Sequence, residues 1–271
     1  MKTILFTNAR DELRLTEWIS HHLNIGFNCI YIYDHKSNIQ INSFIKHKQV
    51  IVENIDEING KSTLINKCCE YAKNNYYDWM LYLDLDEFLV LPNDNNVESF
   101  LLKYNKYDQI GVNWLMFGSN CHSSEPTGTM FECYTQCSFL LDQHIKSFVR
   151  PQHVINSLNP HVYDIKNYAN SVGVDYLPLN TIDRHLHRCQ ICDVQEPNFL
   201  KINAFVAHYY TQSYENYYKR KIRYAPDDNK CTNRNIYSED EIKILFNDIK
   251  FNYVYEKYNS QNKIKMLEFN K

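Results

Sequence analysis

Short apolar runs alternate with segments of helical period through residues 1–90, and no other feature of the chain limits its fold as sharply. Residues 2–7 read as a buried strand. In the next segment Leu13, Leu15, Trp18, Ile19 and Leu23 form one apolar face. Asp11 and Glu12 put acid in its first turn, where the helix dipole favours it, and Gly26 ends it. Residues 29–33 are β-branched and aromatic, a second strand. A short helix is expected at 39–46 and a third strand at 50–52. A helix at 62–74 turns Leu64, Ile65, Cys68 and Tyr71 inward, and residues 79–83 form a fourth strand. This repetition predicts an α/β fold with a mixed, mainly parallel sheet flanked by helices. Ligands of such sheets sit beyond the carboxyl ends of strands. The stretches to inspect are therefore 8–12, 34–38, 54–61 and 84–87.

The second half has weaker periodicity. A strand is expected at 110–117, with short β-like runs at 131–134, 145–149 and 205–210. Helices are expected at 214–221 and 239–246, and the tail from about residue 250 reads as helical. Residues 156–203 read as loops and short strands, which beside a regular sheet often build the substrate side of a site. The chain shows neither a repeat nor a flexible linker. The expected organisation is one domain over 1–221, with a C-terminal helical extension, 222–271, packed on it.

Composition excludes several classes. Lys+Arg 29 against Asp+Glu 32 gives net −3, against a dedicated nucleic-acid binder. No apolar run approaches the roughly 20 residues of a membrane span. The opening Met1-Lys2-Thr3-Ile4-Leu5-Phe6-Thr7-Asn8 turns polar too soon for a secretory signal. Nine scattered Cys make a poor disulfide framework, so a reducing compartment is expected: cytoplasm, or host cytoplasm or virion for a viral source.

Leu83-Asp84-Leu85-Asp86-Glu87-Phe88 directly follows the fourth strand. On extended chain, carboxylates two residues apart point the same way. A strand end that aims two acids into a crevice suits Mn²⁺ or Mg²⁺ holding a diphosphate. Without a cation, placing two like charges together is costly. The plainer alternative is a solvated strand end, and the position after the fourth strand of a βαβ series argues against it.

Together with other segments in order, this motif resembles glycosyltransferases of GT-A fold, in the branch related to family 92. The resemblance runs from about Phe6 to Lys221. Arg10-Asp11-Glu12 with Glu17-Trp18 and His21-His22 is similar to the family's opening stretch. Gly26-Phe27 and Ile30-Tyr31-Ile32-Tyr33-Asp34-His35-Lys36-Ser37 resemble its second strand and loop, and Gly60, Ser62, Asn66 and Ala72 its following helix. Trp79 with Asp84-Leu85-Asp86-Glu87-Phe88 and Trp114-Leu115-Met116-Phe117-Gly118-Ser119 resemble its two signatures. Lys146-Ser147-Phe148-Val149-Arg150-Pro151 with His161, then His208-Tyr209-Tyr210 with Ser213, resemble later blocks. Two positions depart from the pattern: the family's Asn-Glu opening is Arg10-Asp11 or Asp11-Glu12 here, and Asn38 stands where an acid often closes the second-strand loop.

The resemblance implies a Rossmann-like GT-A domain, with 1–110 as the nucleotide-sugar half and 111–221 as the acceptor half. It implies a metal-dependent glycosyltransferase taking a sugar from a nucleotide diphosphate, UDP foremost, to a hydroxyl of a glycan or glycoconjugate. Asp86 would bind Mn²⁺ or Mg²⁺, and Asp84 the ribose or the metal, directly or through water. Glu87 would brace the loop. His208, at the end of the apolar run 205–207, would be a third metal ligand; imidazole suits Mn²⁺. Asp34 would accept from uracil or ribose, unless it only bonds its own turn. Asn8, Arg10 and Glu12 would meet the nucleotide, and Lys61 the base or diphosphate. Trp114 and Tyr209 would stack on sugar rings or pack in the core. An inverting enzyme needs a carboxylate base. Glu132 is the first candidate, followed by Asp183, with Asp142 and Glu196 also eligible.

Gly60-Lys61-Ser62-Thr63 is not a phosphate-binding loop, because Ile55 stands where its first Gly belongs. His185-x-His187-x-Cys189-x-x-Cys192 offers four zinc-type ligands in unusually compact spacing, against a polar loop with packed thiols. Lys219-Arg220-Lys221 with Arg223 would face the donor diphosphate or, by default, solvent. One rival function is a sugar nucleotidyltransferase, disfavoured because residues 7–11 lack the glycine-rich loop that class needs. Another is a catalytically inactive carbohydrate- or nucleotide-binding relative, disfavoured by the presence of both Asp84 and Asp86.

Overall fold

The computed structural model describes residues 1–56, 61–157, 159–179, 186, 187, 189, 199–224 and 236–266. Its strands are β1 (Thr3–Ala9), β2 (Cys29–His35), β3 (Val50–Ile55), β4 (Trp79–Tyr82), β5 (Glu87–Val90), β6 (Gln109–Met116), β7 (Gln136–Cys137), β8 (Ile145–Val149), β9 (Val154–Asn156), β10 (Asp164–Ile165), β11 (Ser171–Gly173), β12 (Phe205–His208) and β13 (Ile249–Lys250). The helices are α1 (Leu15–Asn24), α2 (Ile41–Phe44), α3 (Lys61–Asn74), α4 (Val97–Leu102), α5 (Met130–Cys133), α6 (Tyr214–Tyr224), α7 (Glu239–Ile244) and α8 (Tyr253–Met266).

One mixed sheet of nine strands runs β3-β2-β1-β4-β8-β6-β12-β5, with β11 beside β6. β3, β2, β1 and β4 are mutually parallel, and β12 and β11 are parallel to β6. β8 is antiparallel to both neighbours, as is β5 to β12. The α/β expectation, mainly parallel, therefore holds. Side-chain alternation separates two layers. Ile4 and Phe6 join Leu64, Ile65, Cys68 and Ala72 of α3. Leu5 joins Trp18 and Ile19 of α1, with Val254 and Tyr258 of α8. Each large apolar side chain buried this way contributes about 1.5–3 kcal/mol.

The elements differ from the sequence expectation in three places. α1 begins at Leu15, so Asp11 and Glu12 precede it and Glu17 is the acid of its first turn. Asp11 has φ 52 and holds Asn38 through its amide and side chain at 2.7 and 2.9 Å, so it ties the loop after β1 to the loop after β2. Residues 130–133 are helical rather than β-like, because Thr129 and Glu132 form a reciprocal capping box. Residues 87–90 form β5, since Glu87 N bonds Asp84 O at 3.0 Å and turns the chain. β5 then pairs with β12, so halves drawn at residue 110 share one sheet.

α8 packs on α1 and closes over β5, where Lys257 Nζ donates to the carbonyls of Leu91 and Pro92 at 2.5 and 3.0 Å. Beneath it lie two fully buried imidazoles. His21 Nε2 is 2.7 Å from Leu89 O and His22 Nδ1 is 2.9 Å from Trp18 O. Burial pushes His21 down to about 4 and His22 well below the ordinary imidazole range, where His21 also disfavours its charge. Burial drives Glu17 the other way, up to about 7, against the Met130 amide and Arg14. Unfolded histidines take protons below about pH 6.5 that the folded pair refuses, so their stabilisation is present above that pH and lost as pH falls. Glu17 opposes one of the two between its unfolded range and 7. The net expectation is a loss of stability of about one proton's slope, roughly 1.4 kcal/mol per pH unit, from pH 6.5 toward 4.5. Urea unfolding at pH 7 and pH 5 checks this; equal midpoints would mean that the imidazoles are not buried neutral.

Candidate active site

β1, β2, β4, β6 and β12 all point their carboxyl ends one way, and antiparallel β8 and β5 begin at that same end. The acid turn Asp84–Glu87 lies there. Glu87 Oε2 accepts Asp84 N at 2.9 Å, and Tyr209 N donates to Asp86 O at 2.8 Å, so β12 grips the turn. Register places His208 opposite Glu87 on one side and Met116 on the other.

The acids meet three cationic or imidazole groups. Lys146 Nζ, 1% exposed, stands 2.8 Å from Asp84 Oδ2 and 3.1 Å from Glu87 Oε2. Arg220 Nη2 is 2.8 Å from Asp86 Oδ2, and His208 Nε2 is 3.4 Å from the same oxygen. Burial alone would lift the Asp86 carboxyl, but Arg220 and His208 outweigh it and hold it well below the usual range. Burial would discharge Lys146, but Asp84 and Glu87 reverse that and keep it protonated. Glu87 is shifted upward, by burial first and by Asp84 beside it, with Lys146 opposing. Trp114 lines the same corner, its ring 4.5 Å from His208 and stacked 5.0 Å from His144. Glu87 Oε1, Trp114 Nε1 and His208 Nδ1 are buried here and find no hydrogen-bond partner among the described residues. Buried polar atoms are normally paired, so three together mark a place where a polar ligand or water engages.

A divalent ion fits part of this donor set. Two adjacent ligands, each about 2.1 Å from one ion, stand roughly 3 Å apart. Asp86 Oδ2 and His208 Nε2, at 3.4 Å, approach that spacing. Asp84 Oδ2 is paired with Lys146 in this arrangement. Among the described residues, no three of His, Cys, Asp and Glu converge as a metal site.

The sequence model of glycosyltransferase family 92 matches residues 1–242. This chain belongs to glycosyltransferase family 92. It is 26% identical over 185 residues to a family 92 protein of Oryza sativa subsp. japonica, covering 63% of this chain and 30% of that one. It is 24% identical over 214 residues to one of Ricinus communis, covering 72% and 36%. The chain thus spans about a third of the length of these curated relatives. Among solved structures it is similar to Staphylococcus aureus TarS 1-349 (16% identity, TM-score 0.38, 56% of this chain and 47% of that one). It is also similar to HddC from Yersinia pseudotuberculosis (10% identity, TM-score 0.41, 83% and 100%).

Several positions in this family 92 chain depart from their expected roles. Asp84 Oδ2 pairs with Lys146, and Asp86 Oδ2 pairs with Arg220. Asp34 is buried and braces its own loop, its oxygens accepting Ser37 N at 3.1 Å and Ile41 N at 2.8 Å. That geometry gives it the turn role in place of a donor contact. Asn8, beside it at the end of β1, accepts from the Tyr82 hydroxyl. Arg10 and Glu12 lie between β1 and α1 at the same end of the sheet. Glu132 is engaged within its own helix and by α8. Its carboxylate caps α5 and pairs with Lys263 at 2.5 Å, a bond that, with the Thr129 amide, holds it down at about 2. A carboxylate held that low and bound that fully is a poor base. Tyr209 is 1% exposed among Phe88, Phe117 and Phe131, so it packs the core and does not stack on sugar.

Asp183, Glu196, His185 and Cys192, and the side chains of Lys61 and Arg223, lie outside the described residues. Of the zinc candidates, His187 bonds Asp175 at 2.8 Å and Cys189 packs in the core. His187 crosses so close to Gly173 that a Cβ there would lie 2.1 Å from its Nε2. The basic run divides: Lys219 pairs with Glu215 at 60% exposure, while Arg220 turns inward to Asp86. Sequence reasoning gave Lys146 no site role of its own and left Arg220 open between the donor diphosphate and solvent. A lone lysine inside Ile145-Lys146-Ser147-Phe148-Val149 was the available signal, since a buried cation on a strand needs an acid.

Proposed function

We propose that this family 92 chain transfers a sugar from a UDP-sugar to a hydroxyl of a glycan or glycoconjugate. The observation that carries this reading is the acid turn Asp84–Glu87, set against Lys146, Arg220 and His208 at the carboxyl ends of parallel strands. That is where α/β sheets bind nucleotides. Lys146 fixes the direction of Asp84 and the position of the turn. Arg220 presents a planar fork that matches phosphate oxygens, and it sits beside the acids where a diphosphate would leave. Asp86 and His208 would hold a Mn²⁺ or Mg²⁺ ion. When bound, the ion supplies positive charge for the departing diphosphate. Trp114 offers an apolar face suited to the C–H side of a sugar ring.

Two rivals are weaker. The loop after β1 lacks the glycines a sugar nucleotidyltransferase needs, and a passive binding module would have no use for a buried acid–cation cluster of this cost. Cys29, Cys68, Cys69, Cys121, Cys133 and Cys137 carry free thiols, which fits action in a reducing compartment such as the cytoplasm. No helix among the described residues is long and apolar enough to cross a membrane.

The test is a screen of UDP-sugars with Mn²⁺ and with chelator, following UDP release, alongside calorimetry with UDP. One donor should turn over, and chelation should weaken UDP binding about tenfold or more. UDP binding with no turnover of any donor would favour the binding module, and no UDP binding at all would refute the reading.

A further inference from the structure

Just upstream of Lys146 lies an acid–imidazole pair that the charged cluster does not use. His144 Nδ1 is 2.7 Å from Asp142 Oδ1, and the same oxygen accepts the His144 amide at 2.7 Å. His144 extends the β8 ladder by one residue, because its carbonyl accepts Trp114 N at 3.0 Å. Residues two apart on a strand share a face, so His144 and Lys146 project the same way, about 7 Å apart along the chain. Since β8 starts at the end of the sheet where the acids gather, His144 stands one step further out from them. Its ring lies flat on Trp114, at 5.0 Å and 18°, and Trp114 in turn meets His208. The His144 side chain is 47% exposed and open to a substrate.

We propose that His144, oriented by Asp142, is the general base that deprotonates the acceptor; this rests on the transferase reading above. With Nδ1–H donated to Asp142, Nε2 carries the lone pair that faces the acceptor. The acceptor O–H bond breaks and its proton goes to Nε2. The oxygen bonds the anomeric carbon, the carbon–oxygen bond to the β-phosphate breaks, and its electron pair leaves with UDP. The proton then passes from the imidazolium to solvent. Asp142 holds the ring in one tautomer and orientation. Attack from the face opposite the diphosphate inverts the anomeric configuration. Trp114 packs against both His144 and His208, which ties the base to the acid turn.

The test uses UDP-galactose, UDP-glucose and UDP-N-acetylglucosamine with water as acceptor, following UDP release, together with calorimetry of UDP binding. His144→Gln should lower kcat about 10²–10⁴-fold and leave UDP affinity within about twofold. Asp142→Asn should move kcat the same way. Added imidazole should restore part of the rate to His144→Ala, which a purely structural histidine would not allow. The sugar first released from an α-configured donor should be β by NMR. Full turnover in His144→Gln, or an α product, overturns the base while leaving the transferase intact. A wild-type chain that does not bind UDP overturns the transferase reading, and the base falls with it.

Discussion

Asp86→Asn is expected to lower UDP release from the accepted UDP-sugar by about 10³-fold, roughly 4 kcal/mol of barrier. The substitution keeps size and one acceptor oxygen but removes the charge on which Arg220 and His208 converge. The native carboxyl is held far below its usual range, so it stays ionised throughout the working pH range and the loss should not be recoverable by raising pH. Stability should fall by about 3 kcal/mol, because Asp86 and Arg220 are each only 13% exposed and the substitution leaves Arg220 without its countercharge. Circular dichroism and urea unfolding separate the two effects. Arg220→Lys is the companion variant: it keeps charge without the fork, so KM for the donor should rise while the fold is kept. Turnover in Asp86→Asn within a few-fold of wild type would remove this acid from the chemistry.

The sequence points to Asp86 and His208 because Asp86 lies in the turn after an apolar strand and His208 ends one, and strand ends are where sheet chemistry collects. The first half of the sheet was equally legible, since β1, β2 and β4 are buried on both faces and read as continuous apolar runs. β5 was not, because the reversal at Asp84–Glu87 depends on a backbone bond that acids do not advertise. α5 was misread for a related reason: four residues, Met-Phe-Glu-Cys, are too few to show a helical period, and the turn is set by Thr129 and Glu132. That same cap engages the carboxylate that looked like a base. Asp34 shows how this goes wrong in general. An acid after a strand can serve a ligand or its own turn, and only the position of Ser37 and Ile41 decides. Arg220 was left open between diphosphate and solvent because a basic run on a helix is usually solvated, and its inward turn depends on β12 placing α6 over the acid turn.

Pairing of β5 with β12 has an energetic consequence. It brings Glu87 and His208 side by side from opposite ends of the domain, and Lys146 from the strand two places away. No local segment of the chain can hold this cluster alone. Charges gathered from three distant segments are compensated only once the sheet is complete. The cluster is therefore a check on register: a slip of one residue in β8 would send Lys146 to the opposite face and leave Glu87 uncompensated.

Lys146→Met tests that claim and should give the largest stability change of any single substitution at the site. Methionine fills the space of the lysine stem, so packing is nearly retained and the loss is chiefly that of the countercharge. Glu87 is fully buried and already shifted upward by burial, and Asp84 beside it would also lose its partner. Removing one member of a buried pair costs about 3–5 kcal/mol. The gap from wild type should be widest at pH 8. It should narrow toward pH 5, because Glu87 then folds protonated at little cost: a carboxyl raised by folding destabilises as pH climbs through its folded value. The double variant Glu87→Gln with Lys146→Met should recover at least half of the loss. Glutamine removes the orphaned charge and can still accept the Asp84 amide. Urea unfolding of the three proteins at both pH values reads all of this. A Lys146→Met chain as stable as wild type at pH 8 would mean that Lys146 and Glu87 are not paired in the folded protein, and that something else holds the acid turn in place.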